Sequence, residues 1–250
     1  MFLTIAMGKG GSGKTTTAAN LAAAARRDGK RVLCVDLDPQ ANLTACMGGN
    51  PAAPGLFSVL TDKARAAAVI QHTAQGDLIA AGLNLAAAEL IIQSRPGRDF
   101  LLKTALQPII KDYDLVLCDT PPSLSTLLVN ALAASDTVLL TTQARSFAIM
   151  GLYQIAETIS QVQKYCNPAL SVIGILYTQH TPNRALAKDL TEDVQAQAQR
   201  MGTRLLDAYI RPCEALPQSQ AMQQDIFSYA PRSKAAADYQ KLYDELKGSV

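Results

Sequence analysis

The chain has 250 residues, 48% hydrophobic and 18% charged, enough for one sizeable core and consistent with a single α/β domain spanning 1–250. A net charge of +2 excludes a uniformly basic nucleic-acid binder, so any affinity for DNA has to come from a local patch. Cys34, Cys46, Cys118, Cys166 and Cys213 are widely spaced without a C-x-x-C pair, which excludes a disulfide scaffold and points to a cytoplasmic protein. No stretch approaches the roughly 20 apolar residues of a membrane helix.

In chain order, the apolar run 2–7 predicts a first strand. It is too short for a secretory signal, and no helix-turn-helix extension is expected before it. It runs straight into Gly8-Lys9-Gly10-Gly11-Ser12-Gly13-Lys14-Thr15, the G-x-x-x-x-G-K-[ST] loop that wraps nucleotide phosphates. Its glycines let several backbone N–H groups turn on to one triphosphate. A helix over 14–28 then aims its positive end at the anion. Lys14 is placed to contact the β- and γ-phosphates, Thr15 to ligate magnesium, and Thr16 to reach the α-phosphate. Lys9 is a second cation at the mouth of the loop, a charge offered to something else.

A strand over 31–36 ends in Asp36 and Asp38, and one over 114–119 ends in Asp119. Ligands in open α/β sheets bind beyond such strand ends, so the three carboxylates are expected to converge on the phosphates and their metal. Between them, 48–56 is the clearest loop, and 61–93 is alanine-rich and hard to place apart from a strand over 77–81. A helix is expected over 98–112. After Asp119, Pro121 and Pro122 delay the next helix to 123–134. The segment 119–123 is either a switch that senses the γ-phosphate or a rigid proline turn. Strands follow over 136–142, 170–178 and 206–210, with helices over 147–166, 184–201 and 232–247. The alternation predicts a mainly parallel, twisted sheet with helices on both faces. Cys34 and Cys118 read as core. The last helix is apolar at 235, 239, 242, 243 and 246, but its polar face mixes both charge signs. It therefore reads as packed on its own domain rather than laid on a membrane.

Residues 9–16 (KGGSGKTT), 35–42 (VDLDPQAN) and 118–123 (CDTPPS), with the weaker 131–136 and 229–234, resemble the ParA/MinD family of deviant Walker-A P-loop ATPases over nearly the whole chain. The resemblance implies ATP and Mg2+ as cofactors and slow ATP hydrolysis that acts as a timer. It implies that Lys9 crosses an ATP-dependent sandwich homodimer to the partner's phosphates. Asp38 matches the residue that orients the attacking water, Asp119 the acid that holds magnesium, and Asp36 an auxiliary acid. Pro212, in Arg211-Pro212-Cys213, is implied to line the adenine, with 178–183 nearby. The ParA branch implies partition of a plasmid, mobile element or chromosome, non-specific DNA binding by the ATP dimer, nucleoid association, and a ParB-like partner that stimulates hydrolysis. Arg184, Lys188, Arg200, Arg204, Arg211, Arg232 and Lys234 are the candidate DNA contacts. Glu214 and Ala215 depart from the family where a DNA-contacting arginine is expected, and Gly8 replaces a usual glutamine. The alternative branch is a MinD-like or organelle-positioning ATPase acting on membrane or protein cargo. The cysteine positions do not suit the cluster-binding reductase branch, and metabolic P-loop enzymes generally lack a counterpart of Lys9.

Overall fold

The computed structural model describes residues 1–144, 148–181 and 185–248, and the side chains of all of these except 148 and 185–190. Strands β1 (Phe2–Ala6), β2 (Val32–Asp36), β5 (Leu115–Asp119) and β6 (Thr137–Thr142) are buried at every position, as continuous apolar runs in the middle of a two-sided sheet must be. With β3 (Ile70–Thr73), β4 (Gly76–Ile79), β7 (Ser171–Tyr177) and β8 (Leu205–Tyr209) they form one sheet in the order β3-β4-β2-β5-β1-β6-β7-β8. Every pairing is parallel except the β3–β4 hairpin. Neighbouring carboxyl ends are in register, Ile5 beside Asp119 and Asp36 beside Asp119, so the chain leaves β1, β2 and β5 along one rim.

Helices cover both faces. On one, α1 (Lys14–Arg27) packs its alanines against Leu3 and Ile5 and is closed over by α11 (Lys234–Leu246), with Tyr239, Leu242, Tyr243 and Leu246 buried. The predicted apolar positions of α11 are the buried ones, and Ser233 caps its start by accepting from Ala236 N–H. The other face carries α3 (Leu56–Leu60), α4 (Leu85–Ile92), α5 (Leu101–Leu106), α6 (Thr126–Ala134), α7 (Ala148–Tyr165) and α8 (Ala185–Arg200). Short helices α2 (Asn42–Cys46), α9 (Ala215–Ala221) and α10 (Ile226–Tyr229) lie in the loops at the β2 and β8 ends. Cys34 and Cys118 are buried in the core as expected.

Three expectations are corrected. The helix over 98–112 is broken into a 3-10 turn (Arg98–Phe100), α5 and a second turn (Ile110–Asp112); the break after α5 falls at Pro108, which has no N–H to continue the ladder. The helix expected from 123 starts at Thr126, whose N–H is taken by the Glu89 carboxylate of α4 at 2.9 Å. The alanine-rich segment contains a hairpin, not one strand. Gly76, at φ 107, makes the turn that adds β3, and α4 follows.

Candidate functional site: a phosphate cavity continued by an apolar cleft

The loop from β1 to α1 is tied to the sheet through its carbonyls. Gln143 donates to Gly11 O (2.6 Å) and Thr178 Oγ1 to Ser12 O (2.8 Å), while the Ser12 and Thr141 hydroxyls meet at 3.2 Å. Gly11 and Gly13 sit at φ 75 and 86, the left-handed region that glycine enters without strain. A Cβ on Gly13 would also meet the Thr178 methyl at 3.0 Å. The loop ends at α1, so the helix N-terminus opens into a cavity of about 570 Å3. Gly10, Gly11, Ser12, Lys14, Thr15 and Asp38 are among its walls. Gly8 lies beside the Leu124 side chain at the loop's outer edge, and Lys9 is exposed at the mouth.

Lys14 is almost fully buried and donates to Lys9 O at 3.4 Å. Burial pushes its ammonium pKa down, against the pull of the Asp119 and Asp38 carboxylates. Thr15 Oγ1 donates to Asp119 Oδ2 at 2.6 Å. The other oxygen, Asp119 Oδ1, is buried without a hydrogen-bond partner. Burial pushes this carboxyl up to about 8, and the neighbouring Asp36 charge adds to the rise. A buried carboxylate oxygen left unpaired beside a threonine hydroxyl suits a divalent cation. Among the described residues no cluster of three His, Cys, Asp or Glu side chains could hold a metal without further ligands. A cation held by Thr15 and Asp119 would complete its shell with water and phosphate oxygens, the habit of Mg2+.

Asp38 reaches the cavity wall and accepts from Gln40 N–H at 3.0 Å. Asp36 does not converge with it. Asp36 Oδ1 accepts from Asp38 N–H (3.0 Å), and Oδ2 accepts from both the N–H and the hydroxyl of Thr44 (2.8 Å each). Its place is behind the cavity, holding the backbone that presents Asp38. Thr44 was not visible as a partner in the sequence because only the tertiary turn into α2 brings it to the strand end.

A second cleft of about 540 Å3 continues from the first, with Gly13, Thr16, Gln179 and Gln220 lining both. Pro212, Leu216, Pro217 and Tyr239 give it an apolar wall. The two together offer a cationic, glycine-rich end and an apolar wall.

A family model described as an AAA domain matches residues 2–172. The chain is 35% identical over 243 residues to the sporulation initiation inhibitor protein Soj of Bacillus subtilis, covering 95% of this chain and 94% of that protein. It is 36% identical over 251 residues to the chromosome-partitioning ATPase Soj of Thermus thermophilus, covering 99% and 96%. The chain belongs to the ParA/MinD family of P-loop ATPases. A crystal structure of cobyrinic acid a,c-diamide synthase from Mycobacterium smegmatis, with bound ADP and magnesium, superposes with a TM-score of 0.84. Its identity is 34%, covering 97% of this chain and 92% of that one.

For a ParA/MinD-family chain, the cations offered as DNA contacts are unevenly placed. Arg211 is held by Asp238, with Nε and Nη2 at 2.9 and 2.6 Å from its carboxylate. Arg204 pairs with Glu245 at 3.2 Å, and Arg200 donates to the Tyr153 hydroxyl at 3.1 Å. Arg211 and Arg204, two of the candidate DNA contacts, thus brace β8 against α11. Arg232 and Lys234 are exposed at the start of α11. Arg184 and the side chain of Lys188 lie outside the described residues, as does Asn183 of the expected adenine surround. Gln220 and Gln143 were missed from the sequence, because nothing in their local spacing signals a role.

Proposed function

We propose that this protein is a ParA-type partition ATPase that binds ATP across the joined cavities, dimerises on it and hydrolyses it to come apart. The observation that carries the reading is the cluster at one cavity end: Thr15 bonded to Asp119, an unpaired Asp119 oxygen, buried Lys14, and Asp38 on the wall. Lys14 would neutralise the β- and γ-phosphates from within the chain. Thr15 would hold Mg2+, with Asp119 behind it, and the ion would supply positive charge to the phosphate oxygens as the γ-phosphoryl leaves. Asp38, fixed by Asp36 through the loop backbone, would orient the attacking water. Lys9 would reach the phosphates of a second copy across the homodimer, adding a cation where charge spreads in the transition state. Pro212 would lie against the adenine. The Soj relatives support partition as the process, and the ADP and magnesium of the M. smegmatis structure support the ligand class.

The finer arms are non-specific DNA binding by the ATP dimer, nucleoid association, and stimulation by a ParB-like protein. A MinD-like role on membranes is disfavoured by α11, whose apolar face is already buried against α1. The test is filter retention of DNA by Asp38→Ala protein, in which hydrolysis is blocked, with ATP, ADP or no nucleotide. Retention should rise only with ATP and fall steeply with salt. Equal retention with ATP and ADP removes the DNA arm. The M. smegmatis likeness makes an ATP-dependent amide synthase the competing reading. Fast ATP turnover that depends on a small carboxylic acid and needs neither DNA nor protein partner would favour it.

A further inference from the structure

Gln220 stands where the two cavities join, and its side-chain amide Nε2 donates to Thr16 Oγ1 at 2.9 Å, across 204 positions of sequence. A threonine hydroxyl has one proton and two lone pairs. With a lone pair of Thr16 taken by the amide, its proton is left for another acceptor, and Thr16 lines both cavities. Lys14, Thr15 and Asp38 occupy the end for the outer phosphates, and Pro212 and Tyr239 lie in the apolar cleft. The junction is therefore the place of the phosphate nearest the sugar.

The amide is held by more than its own bond. Ser219, its neighbour on α9, is buried and donates to Leu216 O at 2.9 Å. Asn20 of α1 donates to Thr16 O and accepts from Ile226 N–H, both at 2.9 Å, which ties the segment after α9 to the same helical turn. Gln223, at the end of α9, accepts through its backbone carbonyl from Gln75 at 3.2 Å.

We propose that Gln220 is a positioning residue for the nucleotide: it turns the Thr16 hydroxyl proton toward the α-phosphate of a nucleoside di- or triphosphate at the junction of the two cavities. This rests on the ATP-binding reading above and adds a residue from the far end of the chain to it. Because ADP and ATP share the α-phosphate, loss of Gln220 should weaken both alike, unlike a change at Lys9 or Asp38.

Titration calorimetry with ADP and with a non-hydrolysable ATP analogue, both with magnesium, tests it on wild type, Gln220→Ala, Gln220→Glu, Thr16→Ala and the Gln220→Ala/Thr16→Ala double variant. Gln220→Ala should lose about 5-fold in affinity for both ligands, the size of one oriented hydrogen bond. Gln220→Glu should lose more, about 30-fold, because a carboxylate can only accept, takes the Thr16 proton and adds negative charge beside the phosphates. In the Thr16→Ala background, Gln220→Ala should change affinity by less than about 2-fold. Additive losses in the double variant, or wild-type affinity in Gln220→Glu, would overturn the assignment. A thermal melt of each variant identifies any loss that comes from unfolding, and Gln220→Glu alone decides if the alanine variant is unstable. Wild type that binds neither ligand would instead sink the ATPase reading, and this inference with it.

Discussion

Asp36 and Asp119 are register partners on adjacent strands, yet their surroundings give them different work. Asp36 is satisfied by three donors from its own loop, while Asp119 keeps an oxygen unpaired. Burial pushes the Asp36 carboxyl up to about 6 from an ordinary 3.8. A carboxyl raised in the folded state contributes stability that is full below about pH 4 and lost as pH rises through about 6. Asp36→Asn has no such proton, and in either orientation its amide N–H₂ must face a donor, Asp38 N–H or the Thr44 pair, so it should be less stable overall. The gap in melting temperature between nucleotide-free wild type and Asp36→Asn should narrow from pH 4.5 to 7.5 (about the span of that titration). A gap that stays constant rules out titration of this group. At Arg211, the bidentate bond to a mostly buried Asp238 predicts a structural cost. Arg211→Ala should lose about 1–3 kcal/mol in denaturant unfolding, since it leaves a carboxylate without its partner. DNA retention per folded molecule should keep the same salt slope, whereas a direct phosphate contact would lower the slope by about 1.

At the scale of elements, the tightest join is where α3 meets the end of β4. Leu56 N–H donates to Ala80 O at 2.9 Å, and a Cβ on Gly55 would lie 2.3 Å from that same oxygen. The obstacle is backbone, so it cannot be relieved by a rotamer change. Gly55→Ala should cost about 1–3 kcal/mol in urea unfolding, and an unchanged midpoint would show that the join can open. On the opposite face, Leu242→Ala should cost about 2–5 kcal/mol, because Leu242 is fully buried between α11 and α1. The apolar spacing of α11 was readable in the sequence because one face of a helix records burial directly. The break at Pro108 was equally visible, but the apolar residues on either side outweighed it in a reading by periodicity. The hairpin of β3 and β4 was not readable, since β3 is short, edge-placed and only partly buried.

At the scale of the whole molecule, Lys9 is exposed at the mouth of the phosphate cavity, and exposed Leu124 lies against the outer edge of the same loop at Gly8. On the proposed reading, this is the surface on which a second copy closes over the nucleotide. Lys9→Ala should still bind ATP but remain monomeric by light scattering in its presence, with Asp38→Ala as the dimeric control. A normal ATP dimer of Lys9→Ala would remove the trans role of that lysine. Arg204 and Arg211 are paired within the chain, whereas Arg232 and Lys234 are exposed, so on the proposed DNA-binding reading the latter two are the stronger candidates for phosphate contact.

Local sequence was enough for the parallel sheet, the phosphate loop, the acids at the strand ends, and the burial of the last helix. Each of these is written in contiguous residues, because backbone geometry and strand polarity force neighbours in sequence to act together. The direction in which Asp36 turns, the clamp of Arg211 on Asp238 and the bond from Gln220 to Thr16 came from the folded chain. All three join positions on different elements. A single polar side chain carries no periodicity that names its partner, so which donor meets which acceptor depends on how the layers pack.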